Sequence, residues 1–399
     1  MDNTELQEAI KVFSKRFHRN AQVSAKNKNY ISSPLGAWML LAQLAGGNSL
    51  MLNVEELDRI ENCLGMPLPA AFDYTNELLR NVPAAIKAAG AAWIRETYQL
   101  DSAGVEWVVN TRHQESTVVN QHMATKGELD EWAKENTLGI IEKFPFEPDD
   151  ETLFILANAL ATKISWRTPF EMADGSLIHS WDKKSVLHSK FWDHSKRFVR
   201  DSKGELYGVL VNTGDNIFVT AVIAENPDVS PERVLEVAEA LARNDEDSIT
   251  TELASGLPAE GNIFKIEDRE SLNGDKYEAF IPAWSADSTH ALSDMGLPFL
   301  EASHAISSNG DLVVDALQIA KARYHRVGFE AAAITSMRAG ALNSMMKQSP
   351  AKFVSLNFNH PFAVAASHRA PSLFGDDTWR DLPVFTAWIV EAEEATEEG

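Results

Sequence analysis

The chain has 399 residues, of which 44% are hydrophobic and 24% are charged, as in a soluble globular protein. Its 36 basic and 58 acidic residues give a formal net charge of −22. This balance argues against nucleic acid and anionic membranes as partners, because both are bound through Lys and Arg that meet phosphates. No apolar run approaches the 18 residues of a membrane-spanning helix.

The cysteine count and the first residues give expectations about location. Cys63 is the only cysteine, so the chain can form no internal disulfide, which fits a reducing compartment. The first twenty residues lack the apolar segment of a signal peptide. We therefore expect a cytoplasmic protein and a monomer, with a solvated acidic tail over 391–399.

Three helices are predicted near the start of the chain. The first has an apolar face that includes Leu6 and Phe13. The second begins after Ser33, a residue type that caps helices, followed by a proline suited to the first helical position. The third begins near Thr125, where Glu128 completes a capping box.

Strands and one further helix are predicted in the rest of the chain. Residues 152–164 are apolar almost without a break, which is typical of a strand buried on both faces, and residues 312–324 are predicted to form a second long strand. Each contains one uncharged polar residue, Asn158 in the first and Gln318 in the second. Further elements are predicted at three places: a helix within 225–245 and strands at 358–366 and 383–390. The irregular order of helices and strands favours an α+β domain over a parallel α/β sheet.

The common signatures of catalysis are missing from the sequence. It has no nucleophile elbow, phosphate-binding loop, zinc-protease helix or dinucleotide-binding glycine pattern. His188, Asp193 and His194 fit no common zinc spacing. We therefore predict that the chain is not an enzyme and has no metal or cofactor.

Six short segments, in order along the chain, resemble motifs of one family, the serpins (serine protease inhibitors). They are 29–34 (NYISSP), 129–141 (a helix end with Trp132 and Gly139), 158–170 (Asn158 to Trp166, Pro169 and Phe170), 328–335 (GFEAAAIT), 358–362 (FNHPF) and 383–388 (PVFTAW). Residues 171–275 add almost nothing recognisable. The resemblance therefore covers roughly 29–170 and 312–390.

The resemblance implies a fold and a mechanism. The fold would be an α+β serpin domain over 1–390, with about eight to nine helices around three β-sheets and an exposed reactive-centre loop over 326–350. A serine protease would cut this loop and be trapped, while the loop enters the central sheet as a new strand. Loop insertion in this family is an established case of strand addition that releases stored strain. The hinge of the loop would be formed by Gly328, Phe329, Glu330, Ala331, Ala332, Ala333 and Thr335.

Counting along the loop as in the family places the reactive bond at Leu342–Asn343. Leu342 then implies a chymotrypsin-like or subtilisin-like target with an apolar primary pocket. The segment after Asn343 is about eight residues longer than usual, so the alternatives Arg338, Met345 and Lys347 stay open. Arg338 or Lys347 would imply a trypsin-like target.

The alternation of residue size also suits an inserted strand. One side is small and apolar except for two large residues and one hydroxyl, and its members are Phe329, Ala331, Ala333, Thr335, Met337, Ala339 and Ala341. The opposite side includes Glu330, Ser336 and Arg338, so only that side carries charge. Helical spacing of apolar residues in the same segment is the competing interpretation.

Two functions remain open because some residues depart from the family pattern. Phe329 replaces a small hinge residue, and its ring is large for a close-packed core. This favours a non-inhibitory binding or scaffold serpin as the alternative to an inhibitor. The resemblance also implies a sheet-opening cluster of Ser33, Asn158, Trp166 and Gln318. Within it we expect an amide bridge between Asn158 and Gln318.

Overall fold

The computed structural model describes most of the chain. The described residues are 3–21, 23, 27–113, 117–174, 178, 184–190, 194–245, 247, 249–271, 274–307, 316–329, 349–369 and 377–394. Among them, no helix combines the length and the apolar character needed to cross a lipid bilayer.

Eight α-helices are present in the described part of the chain. They are α1 (Asn3–Asn20), α2 (Pro34–Gly46), α3 (Val54–Leu64), α4 (Leu68–Arg80), α5 (Ser102–His113), α6 (Lys126–Asn136), α7 (Pro231–Ala242) and α8 (Phe299–Ser303). The predicted caps are confirmed: the Ser33 hydroxyl accepts from the Gly36 N–H, and Thr125 and Glu128 form a complete capping box. The helix predicted within 225–245 is α7.

Nineteen strands accompany these helices over the same residues. They are β1 (Tyr30–Ser32), β2 (Ile86–Ile94), β3 (Thr117–Asn120), β4 (Phe154–Thr162), β5 (Ile164–Ser165), β6 (Glu171–Ala173), β7 (Val186–Ser189), β8 (Ser195–Asp201), β9 (Leu206–Gly214), β10 (Ile217–Ala224), β11 (Ile249–Glu252), β12 (Phe264–Ser271), β13 (Lys276–Pro282), β14 (Trp284–Ala291), β15 (Leu317–His325), β16 (Gly328–Phe329), β17 (Ser349–Asn357), β18 (Phe362–His368) and β19 (Pro383–Ile389).

Two of the sheets are continuous. A seven-stranded sheet runs in the order β1-β19-β18-β10-β9-β8-β11, and a five-stranded sheet in the order β12-β17-β13-β7-β6. The seven-stranded sheet forms much of the core beneath α1, α2 and α7, as shown by fully buried residues such as Val219 and Ile389. The unrecognised region 171–275 supplies β8, β9 and β10 of that sheet, together with α7.

The central sheet is divided into two parts. One part has the order β3-β2-β4, and the other β14-β15-β16-β5. Only Lys163 separates β4 from β5, so the two parts meet at one end of the sheet. Within the described residues, β4 and β15 are not paired with each other. The long apolar runs that predicted buried strands are therefore the two strands that border this gap, and the α+β prediction is confirmed.

Candidate functional site

The gap in the central sheet is closed at one end by the two-residue strand β16. Phe329 pairs with Tyr324 of β15 on one side and with Ile164 of β5 on the other. Gly328 pairs with the adjacent residue of each of these two strands, and both β16 residues are buried. The first two residues of the predicted hinge therefore already form a strand inside the central sheet.

The turn that leads into β16 is fixed by backbone hydrogen bonds. The Trp166 N–H donates to the Val327 carbonyl at 3.0 Å, and the Phe170 N–H donates to the Arg326 carbonyl at 2.9 Å. Because both carbonyls of this turn accept hydrogen bonds from backbone N–H groups, the turn holds β16 in a single register relative to its neighbouring strands.

The side chain of Phe329 lies in an aromatic layer. It is only 2% exposed, and its ring meets that of Trp284 edge-on, with centroids 6.2 Å apart. Trp284 in turn stacks on Tyr324 at 5.7 Å, and Trp166 contacts Tyr324 at 5.1 Å. The steric conflict expected at the hinge is therefore absent, because an aromatic layer accommodates the ring.

A slot continues from β16 between the edges of β4 and β15. It contains a cavity of about 770 Å³. Parts of both strands, the start of α2 and the segment around α6 line this cavity, including Leu153 to Leu160, Ala316 to Ile319, Ala37, Trp132 and Phe144. A smaller void, lined by Thr162, Lys321 and Phe329 among others, lies between the cavity and the hinge. Because both strands face the slot with edges that no other described strand pairs, the slot has the form of a missing strand.

Three of the four residues predicted to control sheet opening meet at the start of α2. The Gln318 amide accepts from the Ser33 N–H at 3.0 Å and donates to the Ser33 carbonyl at 2.8 Å. The Asn158 amide donates to the Gly36 carbonyl. The predicted direct bridge between Asn158 and Gln318 is therefore wrong, because each amide binds the α2 backbone instead. Both strands are tied to the same helix end rather than to each other.

The fourth residue, Trp166, lies away from this cluster and beside the hinge. Its indole N–H donates to the His325 carbonyl at 2.8 Å. Trp166 therefore lies beside β16, so the motif that contains both Asn158 and Trp166 spans two different parts of the slot.

We expect Gln318→Ala to lower the free energy of unfolding by about 1–3 kcal/mol, since it leaves the buried Ser33 N–H without its partner and removes one of the two hydrogen bonds to the Ser33 carbonyl. Thermal denaturation should show a melting temperature reduced by a few degrees. Lys321→Ala, at an exposed position on the same strand, is the control and should change little. Equal stability of both variants would contradict a role for the amide.

His194 packs against the hinge region and makes this end of the protein sensitive to acid. Its ring lies 4.7 Å from that of Phe170. Burial, helped by the charge of Lys196, lowers the pKa of His194 from 6.5 to about 4. The unfolded chain therefore takes up a proton below pH 6.5 that the folded protein refuses until about pH 4.

Titration of His194 should consequently lower the free energy of unfolding by up to about 3 kcal/mol as the pH drops from 6.5 to 4. Urea denaturation at several pH values would measure the fall. His194→Gln should remove much of it, whereas His122→Gln, at an exposed position, should not. An unchanged pH profile in His194→Gln would contradict the assignment.

The remaining predicted loop residues lie outside the described residues. These are Glu330, Ala331, Ala332, Ala333, Thr335 and both residues of the reactive bond, Leu342 and Asn343, as well as the alternatives Arg338, Met345 and Lys347. The structure describes the chain again from Ser349, where β17 begins. Sequence reasoning missed the aromatic partners of the hinge, Trp284 and Tyr324, for which the sequence carried no motif.

Comparison with known families agrees with this geometry. A family model described as Serpin (serine protease inhibitor) matches residues 8–186. Solved serpin structures match nearly the whole chain. The chain has the serpin fold. A search of curated protein sequences finds no match.

Among similar solved structures, Serpin48 from the insect Tenebrio molitor has a TM-score of 0.63 and 16% identity, with 98% of both chains covered. Human thyroxine-binding globulin, complexed with thyroxine, has a TM-score of 0.67 and 17% identity, with 98% of this chain and 100% of the globulin covered. The thermophilic serpin tengpin in its native state has a TM-score of 0.64 and 14% identity, covering 98% of this chain and 95% of tengpin. At these identities the structures establish the serpin fold.

Proposed function

We propose that this serpin is a suicide-substrate inhibitor of serine proteases whose cut loop fills the slot between β4 and β15. The main support for this proposal is that β16 already occupies the first two positions of the missing strand, at one end of the cavity. Serpins are generally inhibitors rather than enzymes, and the family match supports that general class.

The register of β16 supports insertion of the small-residue side toward the core. Phe329 is paired with Tyr324, so both side chains point into the buried aromatic layer. Continuing the alternation brings Ala331, Ala333 and Thr335 to that same side. Glu330 would then face outward, level with the exposed Arg323.

The same register accounts for the one hydroxyl on the inward side. Extending the antiparallel pairing along β15 brings Thr335 opposite Gln318, and extending it along the β4 side brings Thr335 level with Asn158. Both amides are half-buried beside the cavity. A hydroxyl can donate to and accept from such groups, so insertion would leave no uncompensated polar group there.

The length of the slot supports the assignment of the reactive bond. On the same register, Ala339 would reach the level of Phe154, the first residue of β4. Cleavage at Leu342–Asn343 would therefore free a strand that fills the slot and ends just beyond it. Cleavage at Arg338 would end the strand one residue earlier, level with Ile155, and leave the position beside Phe154 empty.

We further propose a chymotrypsin-like or subtilisin-like target, because Leu342 would fill an apolar primary pocket. A cytoplasmic location and a monomeric state belong to the same proposal. They are supported by the single thiol of Cys63, which is buried and forms no disulfide.

Incubation with chymotrypsin or subtilisin tests the function. We expect a covalent complex that survives SDS, mass spectrometry placing the cut at Leu342–Asn343, and a large gain in stability of the cut serpin. About ten added ladder hydrogen bonds at about 1 kcal/mol net each imply a rise in melting temperature of order 10–20 °C.

A non-inhibitory binding protein is the second candidate. The observation that favours it is the packing of Phe329 among Trp284 and Tyr324, which fixes the hinge firmly in place. Thyroxine-binding globulin, a similar structure, is complexed with thyroxine. Loop cleavage with neither a complex nor a rise in melting temperature would favour this candidate.

A further inference from the structure

Cationic side chains lie on the outer face of the central sheet, close to the turn that leads into β16. Along β15 the side chains of Ala320, Ala322 and Tyr324 are buried, whereas those of Lys321 and Arg323 alternate with them and are exposed. The outer face of β15 therefore carries two exposed cations, in a protein whose formal net charge is −22.

Lys163 places a further cation on the other side of the gap in this sheet. Because Phe329 pairs with both Tyr324 and Ile164, Arg323 and Lys163 lie at the same level of the sheet, one residue beyond that pairing. Lys163 is exposed while the next residue, Ile164, is buried, so the lysine lies on the same outer face as Arg323. Two strand spacings, about 10 Å, separate the two backbone positions.

The half-buried ring of His325 lies near three of these cations. Burial and the charge of Arg323 lower the pKa of His325, and the charges of Arg326 and Lys163 shift it in the same direction. Glu393 acts in the opposite direction. We call Lys163, Arg323 and Arg326 the cationic patch.

The positive charge of the cationic patch is only partly neutralised within the described part of the chain. Glu393 accepts from the Nε of Arg323 at 3.1 Å, which is the one ion pair that the patch makes with a described carboxylate. This pair leaves the terminal nitrogens of the Arg323 guanidinium available. Cations held close together repel one another, so an anion bound among them would offset that repulsion.

The surroundings of the patch fit a short anion rather than a long polymer. Linked phosphate groups offer several oxygens to guanidinium and ammonium groups, and a chain of two or three can bridge the two sides of the gap. Asp287, directly opposite Lys321 on β14, and Glu393 border the patch and would repel a polymer that extended beyond it. The net charge of the protein would add to that repulsion.

We propose that the cationic patch binds a short oligophosphate, namely two or three linked phosphate groups that are either inorganic or the phosphate tail of a nucleotide. The guanidinium groups of Arg323 and Arg326 donate to phosphate oxygens from the β15 side of the gap, and the Lys163 ammonium donates from the other side. Binding takes place on the uncut protein and is independent of the proposed trapping of a protease.

Calorimetric titration of the uncut protein with inorganic triphosphate, at low ionic strength, tests the patch. We expect saturable binding to wild type and about tenfold weaker binding to Lys163→Gln and to Arg323→Gln, since each loses one charge-assisted contact. Lys203→Gln is the matched control and should bind like wild type. It removes the same charge from an exposed turn before β9, at the opposite end of that strand from its contact with β5.

The pKa of His325 provides a second measurement that is local to the patch. NMR titration of the imidazole signals, with His325→Gln used to identify the signal of His325, should show its pKa rise when triphosphate saturates the protein. The bound anion offsets the three cations that lower this pKa. The pKa of His360, whose ring contacts the Ala224 carbonyl in the seven-stranded sheet, should not move.

Adenosine triphosphate, a sulfated hexasaccharide and duplex DNA are the remaining probes. Inorganic triphosphate that binds at least as tightly as adenosine triphosphate would show that phosphates alone are recognised, and tighter binding of the nucleotide would identify a nucleotide as the source. Either result supports the site. Failure of triphosphate to bind, an equal loss of affinity in Lys203→Gln, an unmoved pKa of His325, or tighter binding of the hexasaccharide or the DNA would each overturn it.

Discussion

Phe329→Glu should convert the protein from the proposed inhibitor into an ordinary protease substrate. The ring of Phe329 is 2% exposed against Trp284, and a carboxylate in that layer would have no partner. Burying an unpaired charge costs several kcal/mol, so β16 should leave the central sheet. Without its first residues in place, the cut loop cannot continue the strand.

The expected measurements are a loss of at least 90% of the SDS-stable complex and faster cleavage of the loop, which together correspond to at least about a tenfold change. Phe329→Leu is the control, because it keeps an apolar side chain at the same position and should retain most of the complex. Its smaller volume should lower the free energy of unfolding by about 1–2 kcal/mol. Full complex formation by Phe329→Glu would refute the role of β16 as the start of insertion.

Ala331→Glu should abolish trapping, whereas Ala332→Glu should not. If the loop inserts as proposed, continuing the register of the Phe329–Tyr324 pair would turn Ala331 toward the core and Ala332 toward the exposed Lys321. A carboxylate at position 331 would need burial without a partner, at a cost of several kcal/mol. At position 332 the same charge would face solvent and an ammonium group.

Stopped incubations with a tenfold excess of serpin would measure the fraction of protease trapped. We expect about tenfold less complex for Ala331→Glu than for wild type, with cut loop accumulating instead. The paired variants carry the same charge one residue apart, so any general effect of charge on protease docking cancels. The opposite ranking would mean that the strand inserts with the other face inward.

Local signals predicted much of the fold. The caps at Ser33 and Thr125 marked helix starts because a side-chain oxygen there binds backbone N–H groups within a few residues. The apolar runs containing Asn158 and Gln318 marked two long strands. Both predictions depend on neighbours in sequence: α2 and α6 confirm the helix starts, and β4 and β15 confirm the strands, although two side chains of β15 are exposed.

The parts of the site that were missed depend on contacts distant in sequence. The fit of Phe329 requires Trp284, which lies 45 positions away and carries no motif. The predicted bridge between Asn158 and Gln318 was wrong for a similar reason. A side-chain amide can hydrogen-bond to any nearby backbone group, including groups that are distant in sequence. The insertion of β17 between β12 and β13 is likewise invisible in a pattern that would predict a simple hairpin.

The fixed turn at Arg326 and Val327 has a kinetic consequence. A strand that joins a sheet must first find its register. Bringing its first residues into place costs chain entropy before any hydrogen bond compensates, and this step is therefore slow. Here the first rung of the proposed insertion is already in place, held by the N–H groups of Trp166 and Phe170. Each later rung would add to a template whose offset is set, so a one-residue slip, which would reverse every side chain, would be avoided from the outset.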